Sequence, residues 1–184
     1  MQERRNRVQE TRIQHLIDIK RFQEADEALA QWEASGEAPQ ETISKLRLLS
    51  LERQATLLSS QLQEEGVTTE IEQALLTLEQ GHPDSVQLAE ARKQAAQWLL
   101  TEGDRHLEAR DYDGALSRYE KAGGYGAEAA VLKERKARVQ ETRIRHLIEG
   151  KRFKEAEEAL VMWEVSGEAP QASLDKLHHL NLQR

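Results

Sequence analysis

Apolar residues recur along this chain at helical spacing, in segments that come in pairs. Ile13, Leu16 and Ile17 form an i, i+3, i+4 stripe in a first segment over 3–19. Lys20-Arg21 marks a turn. Phe22, Ala25, Leu29 and Trp32 then share one face of a second segment over about 22–34. Ser35-Gly36 ends it, since glycine takes the left-handed helix-terminal conformation at no steric cost, and Pro39 blocks continuation. The alternation continues with a long helix over 40–65, its Ile43, Leu46, Leu49, Leu58 and Leu62 facing inward and Gly66 as its stop. Thr68 or Thr69 caps a helix over about 69–80 that carries Ile71, Leu75 and Leu78. Gly81-His82-Pro83-Asp84 breaks the chain, with Asp84 or Ser85 as the next cap. A third long helix over 85–109 lines up Leu88, Ala95, Ala96, Leu99, Leu100 and Leu107, and Asp111 caps the short helix 112–122. After Gly123-Gly124-Tyr125-Gly126 come helices over 127–149, 152–166 and 171–182. No run alternates β-branched residues as a strand would.

The pattern is duplicated. Residues 3–51 align without gaps on residues 134–182, with 32 identities in 49 positions at an offset of 131. Arg-Val-Gln-Glu-Thr-Arg-Ile occurs at 7–13 and 138–144, and Ser-Gly-Glu-Ala-Pro-Gln at 35–40 and 166–171. The pairs Ala28-Leu29, Ala74-Leu75, Ala115-Leu116 and Ala159-Leu160 divide the offset into steps of 46, 41 and 44 residues. Three hairpins therefore make one large repeat, and a fourth begins the next. This predicts an all-α chain of about four antiparallel hairpins (about 3–35, 40–80, 85–122 and 127–166) plus a terminal helix over 171–182. A single repeat domain over 1–184 is expected, and a piece of a longer array.

Composition fits that architecture. The chain is 32% charged and only 4% aromatic. That is polar for a globule but ordinary for an array in which each unit touches only its neighbours. A net charge of −7 makes nucleic acid a poor partner. Cysteine is absent, which excludes disulfide and thiol chemistry and is compatible with the cytoplasmic location we expect. No segment approaches the roughly 18 apolar residues that a membrane span needs.

Tyr112-x-x-Ala115-x-x-x-Tyr119-x-x-Ala122, preceded by Gly103, resembles a tetratricopeptide repeat. Phe22-x-x-Ala25-x-x-x-Leu29 and Phe153-x-x-Ala156-x-x-x-Leu160 resemble the same pattern, with Trp32 and Trp163 in place of the second small residue. The hairpin with Thr68, Ile71, Leu75 and Leu78 departs most, and the periods of 41 to 46 exceed the family's 34. The resemblance is therefore to a variant with long first helices. It implies a right-handed superhelical array, an α-solenoid, whose first helices line a concave groove. On that geometry Arg7, Glu10, Gln14 and Asp18, then Gln97, Asp104 and Glu108, then Arg138, Glu141, Arg145 and Glu149 would face a bound partner. Their mixed signs do not fit a groove for acidic peptide ends.

Other clusters have plainer readings. Arg4-Arg5-Asn6-Arg7 and the basic run 133–138 are solvated helix faces with glutamates nearby for i, i+4 pairing, rather than phosphate sites. His15, His106 and His146 fall one per hairpin, and His178-His179 point to different faces, so no metal-ligand spacing exists. The glycines at 123, 124 and 126 lack the Lys-Ser/Thr of a nucleotide loop. Trp32 and Trp163 read as packing residues. No nucleophile–base pair is legible, and neither catalysis nor a cofactor is expected. The expected role is a non-enzymatic scaffold for a protein or peptide. The alternatives are a spacer that self-associates end to end, forming a homo-oligomer, or a sensor arm of a larger protein.

Overall fold

The computed structural model describes residues 2–182, and among these it contains nine helices and no strand. They are α1 (Gln2–Asp18), α2 (Phe22–Ala34), α3 (Gln40–Glu65), α4 (Thr69–Gly81), α5 (Val86–Glu108), α6 (Tyr112–Gly124), α7 (Ala129–Glu149), α8 (Phe153–Val165) and α9 (Gln171–Leu182). The chain is all-α, in pairs of a long and a short helix, with a final α9. It divides into two compact units, Met1–Arg92 and Lys93–Arg184, with the boundary inside α5. No helix is long and apolar enough to cross a membrane, among the described residues.

Turn chemistry sets the helix ends. Thr68 accepts a hydrogen bond from the Ile71 amide, Ser85 from Leu88 and Asp111 from Gly114. Each satisfies a donor that the first helical turn leaves open. Gly36 and Gly167 take φ of 69° just past α2 and α8. Ser35 and Ser166 donate there to the Trp32 and Trp163 carbonyls at 2.6 Å. One expectation is corrected. Gly123 and Gly124 do not break the chain but form the last turn of α6, and the left-handed residue is Gly126 at φ 91°. Gly123 is useful inside the helix because a Cβ there would lie 3.1 Å from the Leu132 side chain.

The turn from long to short helix has the same form three times. Lys20, Arg110 and Lys151 adopt φ of 63°, 63° and 57°. Lys20 N–H bonds the Ile17 carbonyl and Arg21 N–H the Leu16 carbonyl; Arg110 and Asp111, and Lys151 and Arg152, repeat both bonds. The paired bonds close the C-terminus of the long helix and hold a left-handed residue that is not glycine. In the last copy Gly150 stands one position earlier at φ −76°, so its freedom is not what the turn uses.

In the first unit α1, α2 and α3 pack against one another in all three pairings. Their core joins Ile13, Leu16 and Ile17 to Ala25, Leu29 and Trp32, and to Ile43 and Leu46. The second unit repeats this with α7, α8 and α9 around Ile144, Ala156, Leu160, Trp163, Leu174 and Leu177. Phe22, expected on the core face, is half-buried and packs against the edge of the first core, and Phe153 is likewise half-buried. Ala115, Tyr119 and Ala122 of α6 have no exposed surface at all. Ala115→Leu is expected to cost about 1–3 kcal/mol through overpacking, measured by urea unfolding. A cost below about 0.5 kcal/mol, the ordinary range for surface changes, would show slack where we describe a filled site.

Candidate functional site

The expected partner-binding residues fall on three long helices. Arg7, Glu10, Gln14 and Asp18 recur every three or four residues on α1, and all four are exposed. On α7, Arg138 and Glu149 are exposed, whereas Glu141 and Arg145 are half-buried. Arg145 donates to Glu141 at 2.6 Å; Glu141 also accepts from Ser173 at 3.4 Å and stands 4.0 Å from Lys176. These two residues thus help hold α9. On α5, Gln97 and Glu108 are exposed.

Asp104 departs from the open position expected of it. It is half-buried, accepts from the Tyr119 hydroxyl at 2.8 Å, and is ion-paired with Arg135. The Arg135 guanidinium also stands 5.9 Å from the centre of the Tyr119 ring, close enough for a cation–π contact. Burial, followed by the Asp104 carboxylate, pushes the Tyr119 hydroxyl up to about 12. Asp104 in turn is the main cause that raises Arg135 above its ordinary value. The sequence held one signal for this network. Tyr119 occupies the place taken by Leu29 and Leu160 in the other copies, and a hydroxyl buried there needs a partner. Gly103 is part of the same fit, because a Cβ at that position would enter the Tyr119 ring.

The histidines serve local structure. His106 Nδ1 lies 2.7 Å from Asp111 Oδ2. The Gly114 amide and then His106 hold the Asp111 carboxyl below its usual range. His146 meets the Tyr112 ring edge-on, with centroids 6.3 Å apart. Among the described residues, no three His, Asp or Glu side chains converge as a metal site.

Two clefts of the first unit carry no signature in the sequence. One, of about 640 Å³, lies between α2, α3 and α4 and is largely apolar, lined by Phe22, Leu57, Leu58, Ala74 and Leu78. The other, of about 560 Å³, lies over α1 and α2 beside Arg4, Val8, Arg12 and Trp32. The polar rows are suited to reversible ionic and hydrogen-bonded contact, which governs partner choice and encounter rate more than raw affinity. No family model, curated protein or solved structure matches the chain.

Proposed function

We propose that this chain is a non-enzymatic helical-repeat scaffold of the tetratricopeptide kind. Its hairpins would stack as a right-handed superhelix and hold a segment of a protein partner along the polar rows of the long helices. The observation that carries this reading is the duplicated row. Arg7, Glu10, Gln14 and Asp18 have Arg138, Glu141, Arg145 and Glu149 at the same places in the second copy, so polarity is kept at all four positions. The three-way packing of α1, α2 and α3, repeated by α7, α8 and α9, supports the stacking. A partner held this way needs neither a cofactor nor a catalytic group.

Arg7 and Arg138 are the cations of the rows that stay exposed, which makes them the residues to reverse. Arg7→Glu with Arg138→Glu is expected to reduce proteins retained from a cell extract on the immobilised chain by about tenfold or more. Quantitative mass spectrometry reads that loss, and far-UV circular dichroism should be unchanged. Undiminished retention would remove the rows from consideration. Retention that survives the reversal but disappears on nuclease treatment would favour nucleic acid instead.

A further inference from the structure

The internal duplication shows which surfaces of one helix are filled in one copy and open in the other. In the second unit α7 lies against α6 and the end of α5, and five residues of α7 mark that side. Arg135 pairs with Asp104 and stands over Tyr119. Lys136 is 3.6 Å from Glu120, and Arg143 is 3.3 Å from Asp113. His146 meets Tyr112, and Val139, on the same stripe, has no exposed surface.

The matching residues of α1 are Arg4, Arg5, Val8, Arg12 and His15. The aligned copies are identical at 32 of 49 positions and so differ at 17, yet within this set they differ only at Arg5, where the charge of Lys136 is kept. All five α1 residues are exposed, and Val8 is 64% exposed. Among the described residues, Arg4, Arg5, Arg12 and His15 make no ion pair or side-chain hydrogen bond. Arg4, Arg5, Val8 and Arg12 border the cleft of about 560 Å³, whose floor includes Ala28 and Trp32. At about 100° of turn per residue, this stripe lies roughly 120° around α1 from the row of Arg7, Glu10, Gln14 and Asp18.

We propose that this stripe of α1 is a docking face for a helical hairpin of a partner polypeptide with the chemistry of α5–α6. The first helix of that hairpin would carry a carboxylate at the place of Asp104, to take Arg4. Its second helix would carry carboxylates at the places of Asp113 and Glu120, to take Arg12 and Arg5. An aromatic ring at the place of Tyr119 would lie under the Arg4 guanidinium and cover Val8. A second copy of this chain is not the occupant, because its own α6 is already covered by its α7. The inference deepens the scaffold reading and rests on it. The two fail separately, since Arg7 and Arg138 lie on the polar row and Val8 does not.

The test adds residues 86–131 of this chain, as a second hairpin, directly ahead of Met1. The offset of 131 then gives the added hairpin the same register to α1 that the native hairpin has to α7. Hydrogen exchange of the α1 amides is expected to slow by about tenfold or more relative to the parent chain. Val8→Asp should abolish that protection and lower the melting temperature of the extended chain by about 2–4 °C. The same substitution should leave the parent unchanged, while Val139→Asp should destabilise both. Arg4→Glu serves as a second variant, expected to weaken protection without placing a charge over the core. Equal α1 exchange in the two chains, or equal effects of Val8→Asp in both, overturns the proposal. A parent chain that dimerises and is made monomeric by Val8→Asp also overturns it, because a second copy would then be the occupant.

Discussion

Replacing Trp163 by alanine is expected to cost about 3–5 kcal/mol, the usual range for deleting a buried aromatic. The indole is only 5% exposed and lies in one cluster with Ile144, Ala156, Leu160, Leu174 and Leu177. It therefore joins three helices, α7, α8 and α9, and its loss leaves a cavity facing all three. Those helices are too short and polar to hold together by propensity alone, since most helical stability in proteins comes from the packed face. Equilibrium unfolding in urea, followed by circular dichroism, measures the cost. Trp32, at 6% exposure in the matching cluster of the first unit, should behave alike when replaced by alanine. A loss below about 1 kcal/mol at Trp163 would mean that the ring is not the packing centre described here.

The second large effect is expected at Tyr119. Its side chain is wholly buried, Gly103 is bare beside its ring, and its hydroxyl is held by Asp104. Tyr119→Ala removes the ring and leaves the Asp104–Arg135 pair beside a void, at a cost of about 3–5 kcal/mol. Tyr119→Phe keeps the ring and removes only the hydrogen bond, costing about 0.5–1.5 kcal/mol. Arg135 continues to satisfy the carboxylate in that variant. The difference between wild type and Tyr119→Phe should depend on pH. Because the folded state raises the hydroxyl's pKa, its contribution is fully present below the ordinary value of 10.0 and is lost as pH rises through about 12. Unfolding curves of both proteins at neutral and alkaline pH would reveal this. A difference that grew with pH would contradict the assigned donor role.

Much of the fold is legible in the residues themselves. Helix limits follow from glycine, proline and capping residues between segments of 3.6-residue period, and observed ends fall within a few residues of those expected. Leu88, Ala95, Ala96, Leu99, Leu100 and Leu107 were expected on one side of the third long helix, and all are buried. The left-handed conformation of Lys20, Arg110 and Lys151 is not legible in the residues because it is imposed by carbonyls one turn back, not by the residue's own preference. The candidate rows were legible as polar positions only. Which members remain open depended on neighbours distant in sequence: Tyr119 and Arg135 for Asp104, and Ser173 and Lys176 for Glu141.

The sequence by itself determined the helices, their pairing and the duplication, because these depend on local periodicity and turn chemistry. Only the tertiary structure decided what those helices cover. Val8 and Val139 sit in the same seven-residue run, yet Val8 is 64% exposed and Val139 is entirely buried. No local property distinguishes them. Burial is the removal of apolar surface from water by another element, and α6 lies against α7 in the one place, whereas in the other the same stripe of α1 remains open.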